Sequence, residues 1–158
     1  MDADNAGNRY TGEERLGATV NLNNPTGRGD LASLRVLTSG SGLRYGRASY
    51  QVPVGRGRVG VAYSDLAYKL EREFAALQAN GHARIATVFG TYPLLRSRQS
   101  NMSIGLSLEA KTFQDRIDAE PSVTDKRAQV AVVTWYGDQR DAWGGGGLNS
   151  YSLAWSSG

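Results

Sequence analysis

Among the residues with the chemistry to move protons are acidic pairs such as Asp115 with Asp118 and Glu71 with Glu73, and the single histidine, His82. Paired carboxylates can divide acid and base roles between them, but these fall near strand ends and in a loop, where solvated charges are the ordinary state. A lone histidine leaves no His-based metal site and no catalytic triad with a His base. It is expected to be an exposed loop residue. With no cysteine in the chain, disulfides and Cys-based zinc or redox centres are excluded as well. The expectation is therefore no enzyme, no metal site and no cofactor.

Two short motifs look sharper than they are. Gly55-Arg56-Gly57-Arg58-Val59-Gly60 matches the G-x-G-x-x-G dinucleotide pattern, but that pattern needs a following helix whose N-terminus receives the pyrophosphate. A Val- and Tyr-rich strand follows here, so a hairpin turn is expected. Arg28-Gly29-Asp30 is the tripeptide of some adhesion ligands, yet it lies within a Pro/Gly turn and is read as turn chemistry. The net charge is only +3. Lysines and arginines are scattered rather than clustered, which argues against nucleic acid as a partner.

The elements that carry these residues are strands. At 158 residues one domain is expected, and 20 glycines with eight tyrosines suit a sheet better than a helical bundle. Eight stretches alternate apolar and polar residues between Gly-rich or charged turns. They run from Glu14 to Asn23, onward to about Ser39, from Leu43 to Val54, Arg58 to about Leu70, Ala83 to Leu95, about Met102 to Asp118, Lys126 to about Asp138, and around Ser150 to Ser156. The fourth changes phase between Tyr63 and Leu66, for which a bulge is one explanation. Glu71 to His82 has helix propensity up to Asn80-Gly81 and predicts a turn or short helix within a loop.

The clearest stretch sets Met102, Ile104, Leu106, Leu108 and Ala110 against Ser103, Gly105, Ser107, Glu109 and Lys111. Strand side chains alternate between faces, so such a strand borders an apolar medium on one side and water on the other. Tyr50, Tyr92, Tyr136, Tyr151 and Trp155 are expected on the apolar face, and in the seventh strand Ala128, Val130, Val132, Thr134 and Tyr136 are set there too. No run of about 18 apolar residues forms a spanning helix. A membrane β-barrel needs only about 9 to 11 alternating residues per strand, so that test is blind to it. Periodicity does not say which face is inside: a soluble lipocalin-type barrel would alternate too, with its apolar residues inward around a small ligand.

Asp4-Asn5-Ala6-Gly7-Asn8-Arg9-Tyr10-Thr11-Gly12 and Asn23-Asn24-Pro25-Thr26-Gly27-Arg28-Gly29-Asp30 resemble the opening of the barrel in the ShlB/FhaC/HecB family of haemolysin secretion and activation proteins. Gly42-Leu43-Arg44-Tyr45-Gly46-Arg47 with Ser49-Tyr50, then Glu73-Phe74-Ala75-Ala76-Leu77, continue the likeness. Gly145-Gly146-Gly147 leading to Asn149-Ser150-Tyr151-Ser152-Leu153 completes it in the same order. The resemblance implies the transporter half of two-partner secretion, in the Omp85 superfamily of Gram-negative outer-membrane proteins. It implies a barrel of about sixteen antiparallel strands, within the even-numbered range of such proteins, preceded by two periplasmic POTRA domains. Its partners would be the lipid bilayer and an exported haemolysin- or adhesin-type protein, threaded through without nucleotide hydrolysis.

The fold expected is thus all-β: an antiparallel meander of about eight strands forming half of an outer-membrane transporter barrel. Residues 1–12 are expected to lead in from a missing POTRA region, and residues 13–158 to be the N-terminal half of the barrel. The Val-Arg-Gly-Tyr/Phe motif of the family's inward-folded loop does not occur in these residues, so the remainder of the barrel is counted among the partners. Within the resemblance, Arg15, Arg35, Arg47, Ser49, Gln51, Glu109 and Lys111 are expected to line the pore. Leu16, Leu34, Tyr50, Val88, Leu106, Leu108, Leu153 and Trp155 are expected to face lipid. A small self-contained eight-stranded outer-membrane barrel, serving as adhesin or anchor, is the alternative beside the lipocalin-type one.

Overall fold

The computed structural model describes residues 2–4, 15–39, 42–69, 79–117, 122–141 and 146–158. They form one antiparallel sheet whose strands pair strictly in chain order: β1 (Asp2–Asp4), β2 (Arg15–Asn23), β3 (Leu31–Thr38), β4 (Leu43–Val54), β5 (Gly57–Lys69), β6 (Ala79–Arg96), β7 (Ser100–Ile117), β8 (Ser122–Asp141) and β9 (Gly147–Ser157). The eight expected strands are all present. Three residues of the lead-in add a ninth, β1, paired with Arg15 to Gly17.

The turns explain why the strands stop where they do. Between β2 and β3, Asn24 takes a positive φ of 59°, which a short polar side chain tolerates. Its side chain accepts a hydrogen bond from the Gly29 N–H at 2.6 Å, and its backbone N–H donates to the Asp30 carbonyl at 2.6 Å. The buried Asp30 carboxylate accepts from the Thr26 N–H at 3.2 Å and from the Tyr50 hydroxyl at 2.7 Å. Arg28-Gly29-Asp30 is thus held as turn chemistry, with its aspartate turned into the fold. Gly55, at φ 59°, is the first of two central residues between β4 and β5, as a type II′ hairpin requires.

Two expectations are corrected. No bulge interrupts β5, which keeps one register with β4 and with β6 from Arg58 to Tyr68. Its change of phase has another cause: Val59, Val61 and Tyr63 lie on one face, and where that apolar run ends, at Asp65, Leu66 and Tyr68 fill the other. The one register shift among the described pairs is in β6, between Pro93 and Leu95, beside a proline that has no N–H to give the ladder. Secondly, β6 begins at Ala79 and β8 at Ser122, so Asn80 to His82 and Ser122 to Asp125 are strand rather than loop. The helical turn expected before Asn80 falls on residues 70–78, outside the described set.

Gly81, read as part of a helix-ending Asn-Gly in a loop, is instead a strand residue of β6. The Tyr68 ring lies across it on the facing strand, and a Cβ there would overlap the ring. Phe89 covers Gly60 and Tyr151 covers Gly137 in the same directly opposed way. In each pair the missing side chain makes room for an aromatic that seals the gap between strands.

Candidate functional site

The register sorts the singled-out residues onto two faces. Arg35 stands opposite Arg47, and Arg47 opposite Ser64. Ser49 leads across Ala62 and Thr87 to Glu109, and Gln51 across Gly60 and Phe89 to Ser107. Lys111 lies two residues from Glu109 on the same face, and Arg15 four residues before Thr19, the partner of Arg35. All seven of the polar residues expected to line a pore therefore share one face. Leu16, Leu34, Tyr50, Val88, Leu106, Leu108, Leu153 and Trp155 share the opposite one: Tyr50 crosses Val61 to Val88 and Leu108, and Leu106 crosses Val133 to Trp155.

Exposure differs between the faces although, among the described residues, no second layer covers either. On the polar face Ala62, Ser64 and Thr87 are 6%, 3% and 6% exposed, while on the apolar face their neighbours Val61, Tyr63 and Val88 are 54%, 49% and 58% exposed. In a single sheet such a contrast comes from curvature, which crowds side chains on the concave side and spreads them on the convex side. The sheet therefore curls around its polar face. A lipocalin-type barrel needs the reverse, with apolar side chains inside.

The concave face sets its polar residues among Phe89, Val130, Val132 and Tyr136, and several of those polar groups pair with one another. Arg47 donates from Nη1 to the Ser64 hydroxyl at 3.1 Å, Lys111 Nζ lies 2.8 Å from Glu109 Oε2, and Ser33 donates to Asn21 at 2.7 Å. A carboxylate and an ammonium two residues apart cancel each other locally. The convex face carries Leu, Val, Ile and aromatic side chains. Tyr92, Trp135, Tyr151 and Trp155 gather in the half of that face nearer the turn at 97–99, and the Trp135 and Tyr151 rings meet with centroids 5.1 Å apart.

The seventh-strand assignment is corrected here. Ala131, Val133 and Trp135 in β8 pair with Leu108, Leu106 and Ile104, so it is they that lie on the apolar face. Ala128, Val130, Val132, Thr134 and Tyr136 lie on the concave face, and Tyr136 leaves the aromatic group. Both faces of β8 are rich in valine, so alternation within the strand could not choose; Thr134 and Asp138 were the one polar hint.

The titratable candidates take structural parts. His82 is paired in β6 rather than exposed in a loop, with Nε2 2.9 Å from Asp65 Oδ2, an oxygen that also lies 3.5 Å from Arg84 Nε. Asp115 accepts a hydrogen bond from the Tyr68 hydroxyl at 2.9 Å. Glu71, Glu73 and Asp118 lie outside the described residues. Among the described residues no three His, Cys, Asp or Glu side chains cluster as a metal site would require.

Known proteins share this architecture and sequence. The heme/hemopexin transporter protein HuxB of Haemophilus influenzae strain 86-028NP is 33% identical over 130 residues, covering 80% of this chain and 22% of its own length. The HuxB of strain ATCC 51907 is 30% identical over 122 residues, again across 22% of its length. CdiB from Escherichia coli superposes with a TM-score of 0.81 at 18% identity, over 98% of this chain and 30% of that one. CdiB from Acinetobacter baumannii gives 0.61 at 21%, over 90% and 29%. The chain thus spans about a fifth of the length of the curated relatives it matches, and these relatives are transport proteins rather than enzymes. A family model matches residues 1–158 in full, and the chain belongs to the haemolysin secretion/activation protein family ShlB/FhaC/HecB.

Proposed function

We propose that this chain forms part of the wall of an outer-membrane β-barrel that exports a secreted partner of haemolysin or adhesin type, with the concave face lining the passage and the convex face meeting lipid. In this reading residues 1–12 lead in from periplasmic POTRA domains, and residues 13–158 make the N-terminal half of the barrel. Arg15, Arg35, Arg47, Ser49, Gln51, Glu109 and Lys111 line the passage. Their mixed charge, hydroxyls and amide give a passing extended chain water-like contacts to which it does not adhere.

The observation that carries the proposal is the apolar convex face, which no described element covers. In β7 it runs from Met102 to Ala110, about 27 Å at ~3.4 Å per residue. At a strand tilt of about 40° it stands roughly 20 Å tall, near the ~25 Å apolar band of outer-membrane barrels. In water such a face would aggregate; in a bilayer it is solvated. The turns at 24–30, 55–56 and 97–99 share one end of the sheet and, with the segment joining β8 to β9, face the cell exterior, while the segments joining β3 to β4, β5 to β6 and β7 to β8 face the periplasm.

Single cysteines at positions 106 and 107 of the full-length protein in lipid vesicles test the assignment. A fluorophore on Cys at position 107 should be quenched by aqueous iodide, and one at 106 by a bilayer-embedded quencher. Equal response of the two to both quenchers would overturn it.

A further inference from the structure

The two ends of the sheet differ in charge. The segments joining strands at the 24–30 end carry three arginines, Arg28, Arg56 and Arg98, against one carboxylate, Asp30. Those joining strands at the opposite end, 5–14, 39–42, 70–78 and 118–121, carry two arginines against six carboxylates. Arg28, Arg56 and Arg98 are exposed, and none forms an ion pair with a described carboxylate. The Asp30 carboxylate does not cancel them, because it is buried and committed to Tyr50 and Thr26. Desolvation alone would raise its pKa, but the hydrogen bonds from Tyr50, its own backbone N–H and Thr26 outweigh that and hold it below the usual 3.8.

On the strands that lead into the Arg56 and Arg98 turns the convex face is apolar. Val54 precedes the Gly55-Arg56 turn, and Tyr92, Leu94 and Leu95 precede Arg98, all exposed. The slip in β6 between Pro93 and Leu95 leaves two successive leucines exposed there in place of one. Apolar surface capped by unpaired guanidiniums complements an amphiphile that carries phosphate above acyl chains. Guanidinium binds phosphate in a bidentate fork. We propose that Arg28, Arg56 and Arg98 form a collar that holds the phosphates of a phosphorylated glycolipid in the outer leaflet, with its acyl chains on Val54, Tyr92, Leu94 and Leu95. The collar rests on the membrane-barrel assignment above and further fixes which end faces outward.

The test uses the full-length protein in phosphatidylcholine vesicles, titrated with bisphosphorylated lipid A, its dephosphorylated form, phosphatidylglycerol, or inorganic phosphate. Binding is read from protection of Arg28, Arg56 and Arg98 against phenylglyoxal, located by mass spectrometry. Bisphosphorylated lipid A alone should protect all three. The triple variant Arg28→Gln/Arg56→Gln/Arg98→Gln should bind lipid A about a hundred-fold more weakly, and the triple Lys variant should keep most of the affinity. Equal protection by the dephosphorylated lipid or by free phosphate would overturn the collar, as would undiminished binding by the Gln variant. Phenylglyoxal protection on the unmutated protein decides the matter if the variants do not fold. Failure of the unmutated protein to insert into vesicles at all would instead sink the membrane assignment.

Discussion

Strands β7 and β8 lie side by side along eighteen paired residues and carry their information differently. In β7 every apolar residue from Met102 to Ala110 falls on one face, and every small, polar or charged one on the other. In β8 valine occupies both faces, and only pairing with Leu106 and Leu108 shows that Val133 and Ala131 belong to the convex side. The orientation of a strand in such a sheet can therefore be borrowed from its neighbour through the ladder. A strand with one unambiguous face sets the phase for strands without one.

The sharpest way to break this comparison is to place a charge on each face of the unambiguous strand. Leu106→Arg should destabilise insertion into lipid by about 2 to 4 kcal/mol near the midplane, with Ser107→Arg close to neutral. Urea titrations of the full-length protein folded into vesicles would show it, and equal losses would undo the assignment of faces. The same pair of substitutions in β8 sharpens it. Val133→Arg should approach the cost of Leu106→Arg, whereas Val132→Arg should cost less, reversing what the strand's own alternation suggests.

A smaller effect is expected where packing rather than solvent is disturbed. Gly60→Val puts branched methyls where the Phe89 ring, the Tyr50 carbonyl and Gln51 already sit. Overpacking of this kind costs about 1 to 3 kcal/mol, and Gly60→Val/Phe89→Ala should recover part of it in the same titration. The smallest effect belongs to Tyr50→Phe, which removes a hydrogen bond to the Asp30 carboxylate. Because that pKa is lowered in the fold, the bond's contribution is present above the ordinary carboxylate value and fades as pH falls through the lowered one. Wild type and variant should therefore differ at pH 7 and converge in acid; a difference that persists or grows at low pH would rule out the carboxylate as its source.

Most of this architecture is legible in the chain because one physical signal, alternation at period two, is repeated eight times with turn residues between. The strand β4 is bounded as Leu43 and Val54 suggest, since Gly on either side and Pro53 near its end mark where pairing can stop. The seven polar residues share one face and the eight apolar ones the other for the same reason. What stayed hidden needed contacts between strands. Asn80-Gly81 carries a loop's composition, but its glycine answers to Tyr68 on the facing strand. His82 looked like a loop histidine because nothing local announces Asp65. The two-faced valines of β8 say nothing without β7. Family membership came from short motifs in order, a signal separate from any of these.

The glycines beneath Tyr68, Phe89 and Tyr151 bear on how a meander of this kind finds its alignment. Alternation penalises any odd slip, because it exchanges the faces, but an even slip preserves parity and escapes that penalty. A shift of two residues would set the Tyr68 ring against Ala83, the Phe89 ring against Arg58 or Ala62, and the Tyr151 ring against Trp135 or Gln139, where the space is already taken. The ring-and-glycine pairs thus proofread the alignments that the oil-and-water pattern accepts, twice in the β5–β6 hairpin and once in β8–β9.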